Sequence, residues 1–317
     1  MHKINTALVT GGAGFIGSNL VDALLEQGTH VKVLDNLSTG HIQNLDHVMD
    51  DIDFTKGDIR DLTTLSNLAQ GCDTIFHQAA VVSVPLTVED PIFSAQVNDI
   101  GCLNVLEAAK SAKVHRVVLA SSCAVYGDDP ALPKIERMQA KPQTPYAVQK
   151  YTNELNARIY ASLYDLETVC LRYFNVFGPR QDPSSPYSGV ISIFIDKALN
   201  QDAPLIYGNG EQFRDFVFVK DVVIANLLAA TTESADCDVL NIGTGQSITV
   251  NKLWSTISAL ADCDIQPTCQ EPRPGDIFGS LADISHAKDI LGFEPQYSFN
   301  EGLRLTYEWY REHIIEQ

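Results

Sequence analysis

Apolar runs of four to six residues alternate with longer amphipathic stretches through the first half of this chain. Strand-like runs lie at 4–9, 31–34, 52–55, 74–77, 116–120 and 168–173. Between them, apolar residues at helical spacing predict helices near 14–27, 61–70, 92–111 and 145–164. Regular strand–helix alternation predicts a doubly wound α/β fold, a parallel sheet covered by helices on both faces. After Phe174 the pattern breaks, punctuated by Gly178-Pro179, Pro183, Pro186, Gly208, Gly210, Pro272 and Pro274. Helices are predicted there near 190–200, 221–231, 249–261, 284–291 and 300–316, the last opened by the capping-box pattern Ser298-x-x-Glu301. No repeat or low-complexity linker divides the chain. The expected organisation is a sheet domain over 1–174 and mainly a smaller lobe over 175–317. Some segments of the lobe should return to the sheet, and the lobe should close over the strands' C-terminal edge, where open α/β sheets bind ligands.

The first strand runs into Gly11-Gly12-Ala13-Gly14-Phe15-Ile16-Gly17 and then a helix. That order turns a glycine pattern into a Rossmann-type dinucleotide site. Gly11 permits a tight turn, Gly14 lets a pyrophosphate reach the backbone, and Gly17 lets the helix pack closely. The helix N-terminus offers unpaired N–H groups to phosphate. The second strand ends in Asp35, 18 positions after Gly17. An acid there accepts from ribose hydroxyls and repels a 2′-phosphate, which favours NAD over NADP. The bland alternative is a glycine-rich turn of another α/β fold.

Composition narrows the partners. A net charge of −18 over 317 residues argues against nucleic acid, which needs a basic footprint. An anionic substrate must then be held by a few placed arginines. Seven cysteines without a Cys-x-x-Cys pair suggest a reducing compartment. No apolar run approaches the roughly 20 residues that span a bilayer, and the chain opens directly on its first strand, so a cytoplasmic location is expected.

Tyr146-Ala-Val-Gln-Lys150 opens a predicted helix, and its i, i+4 spacing puts both side chains on one face. A phenol near pKa 10 is a poor base at neutral pH, but a lysine ammonium and a cationic cofactor ring both favour the phenolate. The strand at 116–120 leads into Ser121-Ser122, which places the Ser122 hydroxyl at the ligand-binding edge, able to share a proton with the reacting oxygen. The plain alternatives are a solvated lysine and a serine capping a turn.

With these go Gly57-Asp58-Ile59, His77-Gln78-Ala79-Ala80, Ser121 to Gly127, Arg172-Tyr173-Phe174-Asn175-Val176-Phe177-Gly178-Pro179 and Arg214-Asp215-Phe216. Together the motifs resemble the extended short-chain dehydrogenase/reductases of the nucleotide-sugar epimerase and dehydratase group, essentially end to end. The resemblance implies a catalytic set of Ser122, Tyr146 and Lys150. It implies a cofactor site of Gly11, Gly14, Phe15, Ile16, Gly17, Asp35, Asn36, Ser38, Gln78 and Ser121. Asp58 and Ile59 would meet the adenine, Ala79 and Ala80 the pyrophosphate and ribose, and Asn98 and Tyr173 the nicotinamide side. On the substrate side it implies Asn175 and Arg214 at a UDP diphosphate, Arg273 and Asp276 at the nucleotide end, and further contacts from Ser83, Val190 and Tyr207. A surface salt bridge is the alternative for either arginine. It also implies a homodimer formed by the helices near 92–111 and 145–164, with Ile92, Val97, Leu103, Leu106, Ile159 and Leu163 serving either interface or core.

In the 4,6-dehydratases of this group an Asp and a Glu usually follow the catalytic hydroxyl, and the decarboxylases usually keep the Glu. Here Cys123 and Ala124 stand there, so elimination lacks its base. Val82-Ser83-Val84-Pro85 and the stretch from Gln181 through Tyr187 to Ile191 resemble enzymes of UDP-N-acetylhexosamines. Ser280 replaces a tyrosine usual in epimerases restricted to UDP-glucose and UDP-galactose, leaving room for an N-acetyl group, unless it is only a serine near a helix start. The expectation is an NAD-dependent UDP-hexose 4-epimerase acting on UDP-GlcNAc/UDP-GalNAc and UDP-Glc/UDP-Gal. The alternatives are a UDP-glucuronate 4-epimerase, a dehydratase, a decarboxylase or a non-catalytic NAD-binding regulator.

Overall fold

The computed structural model describes residues 3–182, 189–271 and 277–314. Six strands, β1 (Thr6–Thr10), β2 (His30–Asp35), β3 (Ile52–Lys56), β4 (Thr74–His77), β5 (Arg116–Ser122) and β6 (Glu167–Tyr173), match the predicted runs. A seventh, Asp238–Ile242, lies outside them. It joins β6 at the edge, giving the order Asp238–Ile242, β6, β5, β4, β1, β2, β3, with every pairing parallel.

Successive strand residues feed opposite cores, as a sheet buried on both faces requires. Val9, Val31, Phe76, Val118 and Leu171 pack under the helices Phe15–Glu26 and Val219–Thr231. Leu8, Leu34, Ile75, Val117 and Leu119 pack under Leu62–Ala69, Gly101–Ala112 and Pro145–Tyr164. A third core, with Phe194, Phe218, Leu253, Trp254 and Tyr310, holds the lobe together. Ser298 does cap the last helix, Phe299–Ile314, by accepting from the Glu301 N–H at 3.2 Å.

The predicted helix over 92–111 is broken. A short helix, Pro91–Ala95, leads into a π turn, Gln96–Ile100, before Gly101–Ala112. The helix Val84–Glu89 and the 3₁₀ stretch Ile42–Asp51 also lie outside the predicted helices. All seven cysteines are free thiols. Among the described residues, no helix is long and apolar enough to cross a membrane.

Candidate active site

The glycine loop is shaped by contacts that no side chain could share. Gly11 sits at φ +72°, and a Cβ there would lie 2.7 Å from the Ala79 nitrogen. Gly14 caps the helix Phe15–Glu26 with no side chain bonded to its first-turn N–H groups. First-turn donors left uncapped by a side chain, beside a glycine loop, fit a dinucleotide pyrophosphate. Phe15 and Ile16 turn inward onto the lobe core.

Asp35 ends β2 almost fully buried. Its Oδ2 accepts from the Ala13 N–H at 3.0 Å and its Oδ1 from the Leu37 N–H at 2.8 Å. Burial pushes its carboxyl up, partly countered by those two bonds. The residue therefore braces the glycine loop. Asn36 and Ser38 are exposed beside it; Asn36 donates to Asp58 at 2.9 Å and accepts from the Ser38 N–H at 3.0 Å. Arg60 grips Asp58 through two side-chain bonds of 2.9 Å and holds its carboxyl down to about 2. Ile59 is buried against Gly101.

Gln78, Tyr173, Asn98 and Ser121, all implied for the cofactor, are engaged with protein groups. Gln78 and Tyr173 share a network with Asn226, whose amide meets the Tyr173 hydroxyl at 2.8 Å and whose oxygen accepts from Gln78 at 3.1 Å. Ala79 and Ala80 follow Gln78, partly open. Asn98 clamps the backbone of Val81, accepting its N–H at 2.8 Å and donating to its carbonyl at 3.0 Å, and donates to Gln149 at 2.7 Å. The π turn explains its position: the Asn98 carbonyl accepts instead from Asn153 of the helix Pro145–Tyr164 at 3.1 Å. Ser121 is buried and donates to Glu154 at 2.5 Å.

The catalytic candidates converge at the C-terminal edge of β5. Ser122 ends that strand close enough to the Tyr146 phenol to pull its pKa down; its Oγ accepts from the Ala124 N–H at 3.2 Å, so it caps the following turn as well. The Lys150 ammonium lies 5.7 Å from the Tyr146 ring centre and donates to the Ala120 carbonyl at 2.8 Å. Burial pushes the Tyr146 phenol up to about 12, against the pull of Ser122. It pushes Lys150 down to about 8, resisted by Cys102, Cys170 and Glu154. In the protein alone, burial of the phenol therefore outweighs the expected help from Lys150. His77, bonded to Thr10 at 2.8 Å, is held neutral by burial, at about 3.

The lobe reaches the same edge. Cys123, directly after Ser122, lies near enough to Ser280, Asp215 and Arg214 for each to act on its thiol. Burial pushes its thiol up to about 11, so Cys123 is a neutral packed residue. Asn175 opens a short strand paired with Phe216–Phe218, and its N–H donates to the Asp215 carbonyl at 3.0 Å. Buried Asp215 accepts from the Thr244, Gly245 and Ala282 N–H groups, tying the Ser280 segment to the Arg214 strand. Arg214 donates to the carbonyls of Phe213 and Phe278.

The other substrate candidates are more scattered. Ser83 is a helix cap, accepting from the Leu86 N–H at 3.1 Å. Val190 begins the helix Val190–Leu199, and Tyr207 ends a strand paired with Thr268–Gln270. Arg273, Asp276 and positions 183–188 of the stretch from Gln181 to Ile191 lie outside the described residues. Glu154 and Asn226 join the site without a motif to announce them; the i+8 spacing of Glu154 from Tyr146 is the one available signal.

The profile of the NAD dependent epimerase/dehydratase family matches residues 7–243. The UDP-glucose 4-epimerase of Mycolicibacterium smegmatis is 40% identical over 308 residues, covering 96% of this chain and 98% of that one. A UDP-N-acetylglucosamine 4-epimerase of Methanobrevibacter ruminantium, solved with UDP-N-acetylmuramic acid, superposes with a TM-score of 0.94 at 41% identity, covering 99% and 100%. The UDP-glucose 4-epimerase of Thermotoga maritima, solved with UDP-glucose, gives 0.92 at 40% identity, covering 97% and 99%. The matched span holds the glycine loop, the Ser122 edge and the Tyr146 helix, and the chain belongs to the NAD dependent epimerase/dehydratase family.

Proposed function

We propose that this enzyme interconverts the C4 epimers of UDP-hexoses, taking both the UDP-GlcNAc/UDP-GalNAc and the UDP-Glc/UDP-Gal pairs. The observation that carries the reading is the convergence of Ser122, Tyr146 and Lys150 beside a position, Cys123-Ala124, that holds no acid or base for elimination. Gly11, Gly14, Gly17, Asp35, Asp58 and Ala79 hold the cofactor. When bound, NAD supplies a reversible hydride acceptor for C4, so a cycle leaves no net oxidation. Tyr146 takes the proton of the 4-hydroxyl and later returns it. Ser122 shares that proton with the phenol. Lys150 orients the cofactor ribose and keeps a positive charge behind the phenol. Arg214 and Asn175 hold the diphosphate; a placed guanidinium suits a strong anion in an acidic protein.

Specificity follows from volume at Ser280. Its influence on the thiol of Cys123, the residue after Ser122, supports a position near the catalytic edge, where a small side chain leaves room for an N-acetyl group. Ser280→Tyr should fill that space. Overpacking typically costs about 1–3 kcal/mol, or roughly 5- to 150-fold in rate ratio. Separation of products should show UDP-GlcNAc/UDP-GalNAc turnover lost and UDP-Glc/UDP-Gal turnover kept. Loss of both together, or of neither, would mean that Ser280 does not face the C2 substituent.

We further propose a homodimer. Val97 and Leu106 are buried core residues, whereas Ile92 (73% exposed), Ile159 and Leu163 (66% exposed) stand on the outer faces of helices that pack together. With Ile100, Val148 and Leu155 they form an exposed apolar face of the kind that marks an interface. Light scattering should give twice the chain mass, and Leu163→Glu should give the chain mass. A wild-type monomer at micromolar concentration rejects the dimer.

A further inference from the structure

We propose that Asp215 is the positioning residue of the substrate wall: its carboxylate registers the segments that carry Asn175, Arg214 and Ser280 on the end of the sheet, so that a UDP diphosphate meets them as one unit. The inference rests on the reading of Arg214 and Asn175 given above. Asp215 stands directly after Arg214 and is fully buried. Its Oδ1 accepts from the Thr244 N–H at 2.8 Å and from the Thr244 hydroxyl at 2.7 Å. Its Oδ2 accepts from the Gly245 N–H at 2.9 Å and from the Ala282 N–H at 3.1 Å. Four donors converge on the two oxygens and leave no place for a proton, so the group is held as a carboxylate.

The donors come from two parts of the wall. Thr244 and Gly245 form the turn after the strand Asp238–Ile242, the edge of the main sheet. Ala282 lies two residues after Ser280. On the backbone side, the Asp215 carbonyl accepts from the Asn175 N–H at 3.0 Å, just beyond the end of β6. The Ser280 segment is also laid along the strand Phe213–Arg214: the Ser280 N–H donates to the Phe213 carbonyl at 3.2 Å, and the Phe213 N–H to the Phe278 carbonyl at 3.0 Å. The packing is close. A Cβ on Gly243 would lie 2.9 Å from Asp215 Oδ2 and 2.8 Å from the Ala282 Cβ, and one on Gly279 would lie 2.3 Å from the Phe213 ring.

Asn175, Arg214 and Ser280 therefore each stand at, or within two residues of, a group bonded to Asp215 or Asp215 itself. Among the described residues, no hydrogen-bond partner of Asp215 lies in the glycine loop or on the helix Pro145–Tyr164. Loss of the clamp should loosen the grip on substrate and spare both the cofactor and the proton-transfer groups. A buried carboxylate so fully bonded can also serve stability alone, and the test separates the two roles. Asparagine has the same shape but puts an NH₂ group in place of one oxygen. Whichever way that amide turns, two of the four donors face another donor.

Calorimetric titration of the NAD-loaded protein with UDP reads the wall apart from the chemistry. In Asp215→Asn the Kd for UDP should rise about tenfold or more, the usual cost of losing buried hydrogen bonds to a charged group. KM for UDP-galactose should rise with it, while kcat stays within about threefold and the Kd for NAD is unchanged. Should the amide prevent folding, Thr244→Val removes the hydroxyl donor alone, and UDP should weaken about threefold or more. A UDP affinity within about threefold of wild type in folded Asp215→Asn, or unchanged in Thr244→Val where only that variant folds, overturns the inference. A joint fall in UDP affinity, NAD affinity and kcat overturns it too, because a purely stabilising residue would act on all three. Arg214→Met tells the clamp from the reading beneath it. UDP weakened there but not in Asp215→Asn overturns the clamp and leaves the diphosphate reading intact, whereas UDP binding unmoved in both overturns that reading as well.

Discussion

Tyr146→Phe should lower turnover by about 10²–10⁴-fold, the usual contribution of a general acid–base group, equivalent to about 3–5 kcal/mol of barrier. The substitution keeps the ring, its packing and its place 5.7 Å from the Lys150 ammonium. It removes only the hydroxyl, on which Ser122 acts. Melting temperature and NAD content should therefore stay at the wild-type level, which makes the kinetic loss chemical rather than structural. The phenol at about 12 sharpens the expectation. Bringing it to neutrality takes roughly 7 kcal/mol at about 1.4 kcal/mol per unit, more than a surface tyrosine would need. The pull of Ser122 is already present at that value and Lys150 alone does not supply the rest, so the nicotinamide charge must contribute. It follows that the acid limb of kcat reflects the phenol in the loaded enzyme, with activity rising as pH passes the lowered pKa. Steady-state kinetics with UDP-galactose and with UDP-GlcNAc check the prediction. Turnover within about tenfold of wild type for a substrate the enzyme uses would exclude Tyr146 as the base.

Residues whose role is set by local pattern are legible in the amino-acid sequence itself. Tyr146 and Lys150 share a face because they are four apart on a helix, and Ser122 lies at the ligand edge because it ends a buried strand. Gly11 is readable from its place in a strand–turn–helix run. What local pattern does not carry is pairing across long sequence distance. The strand Asp238–Ile242 carries Asp238 and Asn241 in a run of five, and only its place beside β6 makes it a strand. Asn241 is buried because it accepts from the Tyr126 hydroxyl at 2.6 Å, a partner 115 positions away. The π turn is hidden for another reason: a single widened turn barely disturbs the apolar stripe. Glu154 has the right spacing but reads as a solvated helix charge, since its partner Arg172 arrives through the register of β5 and β6. Ser83 and Ser121 show the converse. Resemblance assigns both to ligands, and both have structural partners of their own.

Gly17→Ala should abolish tight NAD binding, because the added methyl group has nowhere to go. A Cβ at Gly17 would lie 2.1 Å from the Gly11 oxygen, 2.8 Å from the Gly11 carbonyl carbon and 2.9 Å from the Gly12 Cα. All three are backbone atoms, and a Cβ has no torsion with which to escape them. Either the helix Phe15–Glu26 slides outward or the loop opens. The loop is poorly placed to yield. The Gly11 N–H is bonded to the Leu34 carbonyl at 2.8 Å and the Gly14 N–H to the Gly11 oxygen at 3.1 Å. A Cβ on Gly11 would already meet Ala79, so the turn is pressed from its other side as well. Overpacking typically costs about 1–3 kcal/mol, and a backbone clash belongs at the upper end. At about 3 kcal/mol the loss is roughly 150-fold in Kd, with stability falling in parallel because Leu20, Val21 and Leu24 of the displaced helix line the core. Gly28 is the control: it also has a positive φ, of +74°, but a Cβ there would meet nothing within 4 Å. Gly28→Ala should cost about 1 kcal/mol of stability from backbone strain alone and leave NAD affinity unchanged. Calorimetric titration with NAD and thermal unfolding of the two variants decide the matter. An affinity for Gly17→Ala within about threefold of wild type would show that the loop can relax without disturbing the pyrophosphate site, and that Gly17 serves packing alone.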